Sequence, residues 1–264
     1  MDRLENLKNI IMYLMADEHV SHQIPSTLEE RQRMMRALMN VWEPRPIAED
    51  FLMKQDVELQ MQCEDKGIVS LKDMAAANSS LFTFHSSLLL WQGDITRLKV
   101  EAIVNAANAQ ALGCWAPLHN CIDNCIHSAA GIQLRKECAD KMQGRLLATG
   151  DAFITQGYNL PARHVIHTVG PIIPDGIPTK EQEEQLAQCY RSCLDLAEQN
   201  GLESIAFCCI STGVFHFPNE LAARIAIETV KSYPRHSLKT IVFNVFLDKD
   251  RDIYEQLLGA CPMA

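Results

Sequence analysis

Three soft metal ligands fall within eight residues in the stretch from Asn105 to Gly131, NAANAQALGCWAPLHNCIDNCIHSAAG: Cys114, His119 and Cys121, set around Pro117. Thiolate and imidazole donors suit Zn2+, which needs no redox partner, and a short loop stiffened by proline can close around one ion. Three protein ligands leave a fourth position open, the pattern of a catalytic site. Cys125 follows Cys121 by one helical turn. It would either close the set into a four-ligand structural site or sit as a helix residue facing a sheet. Unrelated buried thiols are the metal-free reading of the same spacing. Asp123 and His127 stand four apart, hence on one helix face beside this loop. They read as an acid or base next to a metal, or as a carboxylate favoured by the helix N-terminus with a histidine partner.

Three further stretches carry polar groups at the ends of apolar runs. Asp94 and Ile95 lie in GDIT after the run LLLWQ; the carboxylate could accept from an amine, or cap a turn. Asn105 and Asn108 follow AIV, and an amide that both donates and accepts suits ribose hydroxyls as well as turns. Ser211, Thr212, Gly213, Val214 and Phe215 join a buried run to a helix starting near Asn219. Such a junction can present backbone N–H groups to a phosphate, although no Walker lysine follows. His164, His167 and His216 are isolated and read as structural residues.

The elements that must position these groups divide into two regions. Residues 1–75 read as an all-helical extension. Leu4, Leu7, Ile10, Ile11, Leu14 and Met15 form one face of a helix over 2–16, with Asp2 and Glu5 as a capping box. A second helix starts near Ser26 with Glu29 as its box partner, and a third runs from Ala48 to about Gln62. After Asn78 the pattern changes. LLLWQ, AIVNAAN, DAFIT, HVIHTVG, SIAFCCIS and KTIVFNVF alternate with helices over 122–142, 179–200, 219–232 and 248–258. Alternating strands and helices predict an α/β domain over 76–264 with a largely parallel sheet covered on both faces. Ligands in such sheets bind beyond the carboxyl ends of the strands, which gathers GDIT, NAAN, TGD and STGVF on one rim.

Composition narrows the function. The chain has 264 residues, a net charge of −9 and a pI near 5.5. That charge argues against a general nucleic-acid binder, which needs a basic face. Ten cysteines in a large, apolar-rich chain point to a reducing compartment rather than a disulfide scaffold. With neither a signal-peptide core nor a membrane-length apolar run, the expected protein is cytoplasmic.

Taken in order, GDIT, AIVNAAN, TGDAFIT, VIHTVGP and ISTGVFHFP resemble the macrodomain, an ADP-ribose-binding α/β/α sandwich, across roughly residues 80–260. CIDNCIHSAAG resembles the catalytic helix of hydrolytic MacroD-type members. The glycine-rich loop that precedes it in those members is replaced here by GCWAPLHNC, as in zinc-dependent macrodomains of microbial protein-ADP-ribose hydrolases, which also carry an N-terminal helical extension. The resemblance implies zinc on Cys114, His119 and Cys121, with Cys125 at an alanine-like position outside the set. It implies Asp123 as catalytic carboxylate with His127 on its helix, and Asp94 with Ile95 at the adenine. Asn108 and Asn105 would address the distal ribose, Ser211 to Phe215 the diphosphate, and Phe246 the adenine wall. His216 stands where the family carries glycine.

The activity implied is zinc-dependent removal of mono-ADP-ribose from acidic protein side chains. The alternatives are a non-catalytic reader with a structural zinc and hydrolysis of O-acetyl-ADP-ribose. The resemblance also implies a sirtuin-type ADP-ribosyltransferase and a lipoyl-carrier protein as partners.

Overall fold

Short apolar runs become strands where neighbouring helices cover one or both of their faces. In the structure, a computed structural model that describes residues 2–77 and 87–259, six of them form one sheet. The composition shift after Asn78 lies outside the described residues. In chain order the strands are β2 (Leu88–Gln92), β4 (Ala102–Ala106), β5 (Ala152–Gln156), β6 (His164–Thr168), β7 (Ser204–Phe207) and β8 (Thr240–Val245), and their spatial order is β2-β8-β7-β4-β6-β5. All neighbours are parallel except the edge pair β5–β6. Ala102, Ile103 and Val104 of the central β4 are fully buried, as a strand with helices on both sides requires.

The covering helices are α5 (Ile122–Ala130), α6 (Ile132–Met142), α7 (Lys180–Gln199), α8 (Asn219–Ser232) and α9 (Asp248–Gly259). The segment read as one helix over 122–142 is two. Gly131 takes φ 104, its N–H closes α5 onto His127 O, and the N–H of Ile132 turns instead to Gln55 Oε1. With ψ 167 this is a backbone conformation open almost only to glycine, and it breaks the helix there.

The N-terminal helices are α1 (Arg3–Asp17), α2 (Leu28–Val41) and α3 (Glu49–Lys66), followed by a two-residue strand β1 (Val69–Ser70) and α4 (Leu71–Ala77). β1 pairs in parallel with β3 (Leu98–Lys99). Leu7, Ile10, Ile11 and Leu14 of α1 are fully buried against Met35, Leu38, Met39, Trp42 and Phe51. Ile132 of α6 belongs to the same apolar cluster, which packs the helical region onto the sandwich. Two caps differ from expectation. The Asp2 side chain caps nothing. In α2 the N-cap sits one residue later, at Thr27, whose Oγ1 accepts from the N–H of Glu30 and donates to its carboxylate at 2.7 Å. The third helix runs on to Lys66, where Gly67 ends it with φ 79. Among the described residues no helix is long and apolar enough to cross a membrane.

Candidate active site at the carboxyl edge of the sheet

The parallel register of β4 and β6 sets Asn105 opposite His167. Two side chains at paired positions on adjacent strands share a face, so they meet. Asn105 Nδ2 lies 3.1 Å from His167 Nδ1 and donates to Asp123 Oδ1 at 2.8 Å. His167 Nε2 lies 3.0 Å from Thr155 Oγ1, whose hydroxyl donates to Val165 O at 3.3 Å. This chain is satisfied when His167 is neutral with its proton on Nε2. Burial pushes His167 down to about 3, with Lys141 adding to the shift. His167, read from sequence as an isolated structural residue, is therefore part of the polar network that carries Asp123.

Asp123 occupies the first turn of α5, whose N-cap is Cys121. Asp123 is 4% exposed, and burial raises its carboxyl to about 6 against the opposing pull of Asn105 and Arg135. Asn108 donates to Asp123 Oδ2 at 3.3 Å and to Gly113 O at 3.1 Å, while its own oxygen accepts from the N–H groups of Gln110 and Ala111. One amide thus ties the carboxylate to the start of the cysteine loop. His127 Nε2 stands 3.6 Å from Asp123 Oδ1, too far for a hydrogen bond. Both its ring nitrogens are buried without partners. Burial, then the nearby His167 and Arg135, hold His127 well below the usual histidine range. The two are not an ion pair.

The ligand atoms of Cys114, His119 and Cys121 all lie within 4.8 Å of one another. Cys114 Sγ is 3.6 Å from His119 Nδ1. Two such donors on a tetrahedral zinc stand about 3.5 Å apart, given Zn–S near 2.3 Å and Zn–N near 2.0 Å. The donor set and its spacing fit a single ion. Cys125 lies outside this cluster. Instead of facing the sheet, its thiol faces α2, 3.8 Å from Arg36 Nη2. The loop turns at Ala116-Pro117-Leu118-His119. His119 N–H donates to Ala116 O at 3.2 Å and Leu118 takes φ 60, the pattern of a type II turn, whose third position normally prefers glycine.

The other predicted groups ring the same edge. Asp94 Oδ1 accepts from the N–H and hydroxyl of Thr96, and Asp94 Oδ2 from Lys66 Nζ at 3.1 Å. Burial pushes this carboxyl up, but Thr96 and Lys66 outweigh it, so it stays below the usual range. Ile95 is buried. In the loop after β7, Ser211 adopts φ 65 and His216 φ 57. His216 thus supplies the left-handed turn that glycine would give. Among the described residues, the N–H groups of Gly213, Val214 and Phe215 make no hydrogen bond, and Ser211 Oγ is buried without a partner. Unpaired N–H groups on one loop form a concavity suited to an anion. Phe246 projects from the end of β8, 70% exposed. A cleft of about 730 Å³ between α2, α3 and α5 reaches Asp94, Thr96, Leu118 and Asn120.

Similarity to known proteins follows this geometry. The family profile described as Macro domain matches residues 104–226. A protein-ADP-ribose hydrolase of Treponema medium is 47% identical over 256 residues, covering 95% of this chain and 97% of that protein. A protein-ADP-ribose hydrolase of Staphylococcus aureus (strain MSSA476) is 43% identical, covering 97% of each. Among solved structures, the Trypanosoma brucei macrodomain in complex with ADP-ribose superposes with a TM-score of 0.63 at 31% identity, over 85% of this chain and 95% of that one. The Oceanobacillus iheyensis macrodomain with ADP gives 0.59 at 38% identity, over 67% and 93%.

Proposed function

We propose, on the premise that this chain belongs to the macrodomain family and groups there with the protein-ADP-ribose hydrolases, that it removes mono-ADP-ribose from acidic protein side chains with the help of zinc on Cys114, His119 and Cys121. The observation that carries the reading is Asn108, whose amide bridges Asp123 Oδ2 and Gly113 O, the residue before Cys114. It brings a buried carboxylate and a cluster of three metal-binding side chains to one edge of the sheet. Zinc, which Cys114, His119 and Cys121 would hold, would supply a Lewis acid.

The chain's own residues do the rest. Asp123 accepts a proton from water as the water oxygen bonds to C1″ of the distal ribose, while the bond from C1″ to the side-chain oxygen breaks and the acidic side chain leaves as its carboxylate. Burial brings the carboxyl to about 6, nearer to neutrality than an exposed aspartate and thus a better-matched base. Asn105 and Asn108 hold its two oxygens in place. The free N–H groups of residues 213–215 take the diphosphate, and Asp94 takes the adenine amine. Both contacts spend binding energy on placing the ribose. The position of Cys125, facing Arg36, supports an open three-ligand set over a closed structural one. From the resemblance alone, a sirtuin-type transferase acting on a lipoyl-carrier protein is the proposed source of the modified substrate.

The test is a time course on a protein ADP-ribosylated at Asp or Glu, using zinc-loaded parent, Cys121→Ala and Asp123→Ala. Release of free ADP-ribose by the parent and its loss in both variants is the expected result. Release that survives Cys121→Ala would remove zinc from the reading, and absence of release by the parent would remove the activity.

A further inference from the structure

We propose that Arg36 and Asn40, on helix α2 of the N-terminal region, are positioning residues that hold the Cys114–His119–Cys121 loop in its metal-binding shape. This rests on the zinc reading above, and it gives the helical region a task in the chemistry.

The loop spends backbone energy to present its ligands. Leu118, directly before His119, sits at φ 60, a left-handed conformation that is a genuine outlier for a bulky side chain. Such conformations persist only where surrounding contacts over-determine them. Here the contacts come from a helix about eighty residues earlier in the chain. Asn40 Oδ1 accepts from the N–H of Leu118 at 2.9 Å, and Asn40 Nδ2 donates to Ser128 Oγ at 2.9 Å. Asn40 is 1% exposed, so neither bond is shared with water. Arg36 Nη2 donates to His119 O and to Asn124 Oδ1, each at 2.8 Å. Asn124 in turn gives its N–H to Cys121 Sγ at 3.4 Å and its side-chain N–H to Ala116 O at 2.9 Å. One guanidinium therefore reaches the carbonyl of one ligand residue and the partner of another.

The far end of α2 is tied to the same loop. Arg135 of α6, 3% exposed, donates to the carbonyls of Asn40 and Trp42 at 2.9 Å each and to Cys114 O at 3.4 Å, and lies over the Trp115 ring at 4.1 Å. It satisfies the open carbonyls at the helix end while fixing the first ligand residue. His119 is thus held directly from α2, and Cys114 and Cys121 through Arg135 and Asn124, each of which also bonds to α2. Groups of this kind orient metal ligands, and their loss typically weakens binding ten- to a hundredfold.

The experiment measures zinc affinity of the metal-depleted chain of residues 1–264, by competition with a colorimetric chelator, for parent, Arg36→Ala, Asn40→Ala and Gln55→Ala. Gln55 joins α3 to α6 through Ile132 N–H and Gln133, so its loss loosens the same interface away from the loop. Arg36→Ala and Asn40→Ala should weaken zinc binding about tenfold or more, and Gln55→Ala by less than about threefold. Leu118→Gly, which removes the strain that Asn40 restrains, should restore much of the affinity lost in Asn40→Ala while changing the parent little. Arg36→Lys, milder should Arg36→Ala not fold, keeps the charge but not the forked geometry, and should also bind more weakly than the parent. Equal affinity in parent, Arg36→Lys and Asn40→Ala overturns the proposal, as does an equal loss in Gln55→Ala. A parent that takes up no zinc overturns the zinc reading itself.

Discussion

Asn105 Nδ2 stands between two buried partners, 2.8 Å from Asp123 Oδ1 and 3.1 Å from His167 Nδ1. The amide donates to both, so it aims the carboxylate and selects the imidazole tautomer at once. The arrangement follows from the pairing of Asn105 with His167 across β4 and β6, and only an uncharged double donor satisfies it. Asn105→Asp would put a second carboxylate against Asp123 and leave His167 without its donor. We expect hydrolysis at pH 7 to fall by about a hundredfold or more, the scale of a displaced general base, with zinc content unchanged. Retention of most of the parental rate would show that the amide does not orient the base.

His167 makes a second prediction through linkage. Its folded value of about 3 lies below the ordinary 6.5 because the ring is buried. The unfolded chain therefore binds this proton first. Stability from the neutral ring is fully present above pH 6.5 and drains away as the pH falls toward 3. The slope approaches 1.4 kcal/mol per pH unit for one proton. Urea unfolding of parent and His167→Gln between pH 7 and 4 should give curves that converge on acidification, the variant being flatter by about one proton. Parallel curves would mean that the ring is charged, or hydrated, in the folded protein.

These two residues mark where sequence reading stopped. The strands were legible because AIV, HVI, SIAF and TIVF are apolar without alternation, the pattern of strands covered on both faces. The cysteine loop was legible because its ligands are close in the chain. His167 was not, since its partner Asn105 is 62 residues away and only strand register brings the two together. Arg36, Asn40 and Lys66 look like the polar face of ordinary helices until the fold lays that face on the loop and on Asp94. Nothing in the sequence marks His216 as a left-handed residue, and only its φ of 57 reveals the turn it makes.

Lys66 and Asp94 give a third test. The 3.1 Å ion pair occupies the carboxylate oxygen that an adenine amine would need, and Lys66 comes from the last turn of α3. The pair is half-exposed, so its worth is about 0.2–1 kcal/mol. Lys66→Met should tighten ADP-ribose binding by up to about fivefold, measured by calorimetry, and flatten its dependence on salt. Asp94→Ala should weaken binding whichever residue stands at 66. Weaker binding in Lys66→Met would mean that the lysine contacts the nucleotide instead of competing with it.

Gly113 brings the cysteine loop directly against His127 of α5. It takes φ 82, and a Cβ there would lie 2.7 Å from Cγ and 2.9 Å from Nδ1 of His127. Neither ring nor backbone has room to yield, since His127 is 4% exposed and Gly113 O is held by Asn108. Gly113→Ala therefore combines a left-handed alanine with a clash, which costs about 1–3 kcal/mol. Part of that should be relieved by moving Cys114 and its loop away from α5. Thermal unfolding should drop by several degrees, zinc should bind more weakly, and hydrolysis should fall further than either loss alone accounts for, because Asp123 shares Asn108 with the displaced carbonyl. Adding His127→Ala opens space for the new methyl. It should recover zinc affinity in the Gly113→Ala background if the ring is the obstacle, whereas no recovery would assign the defect to backbone strain at residue 113 alone.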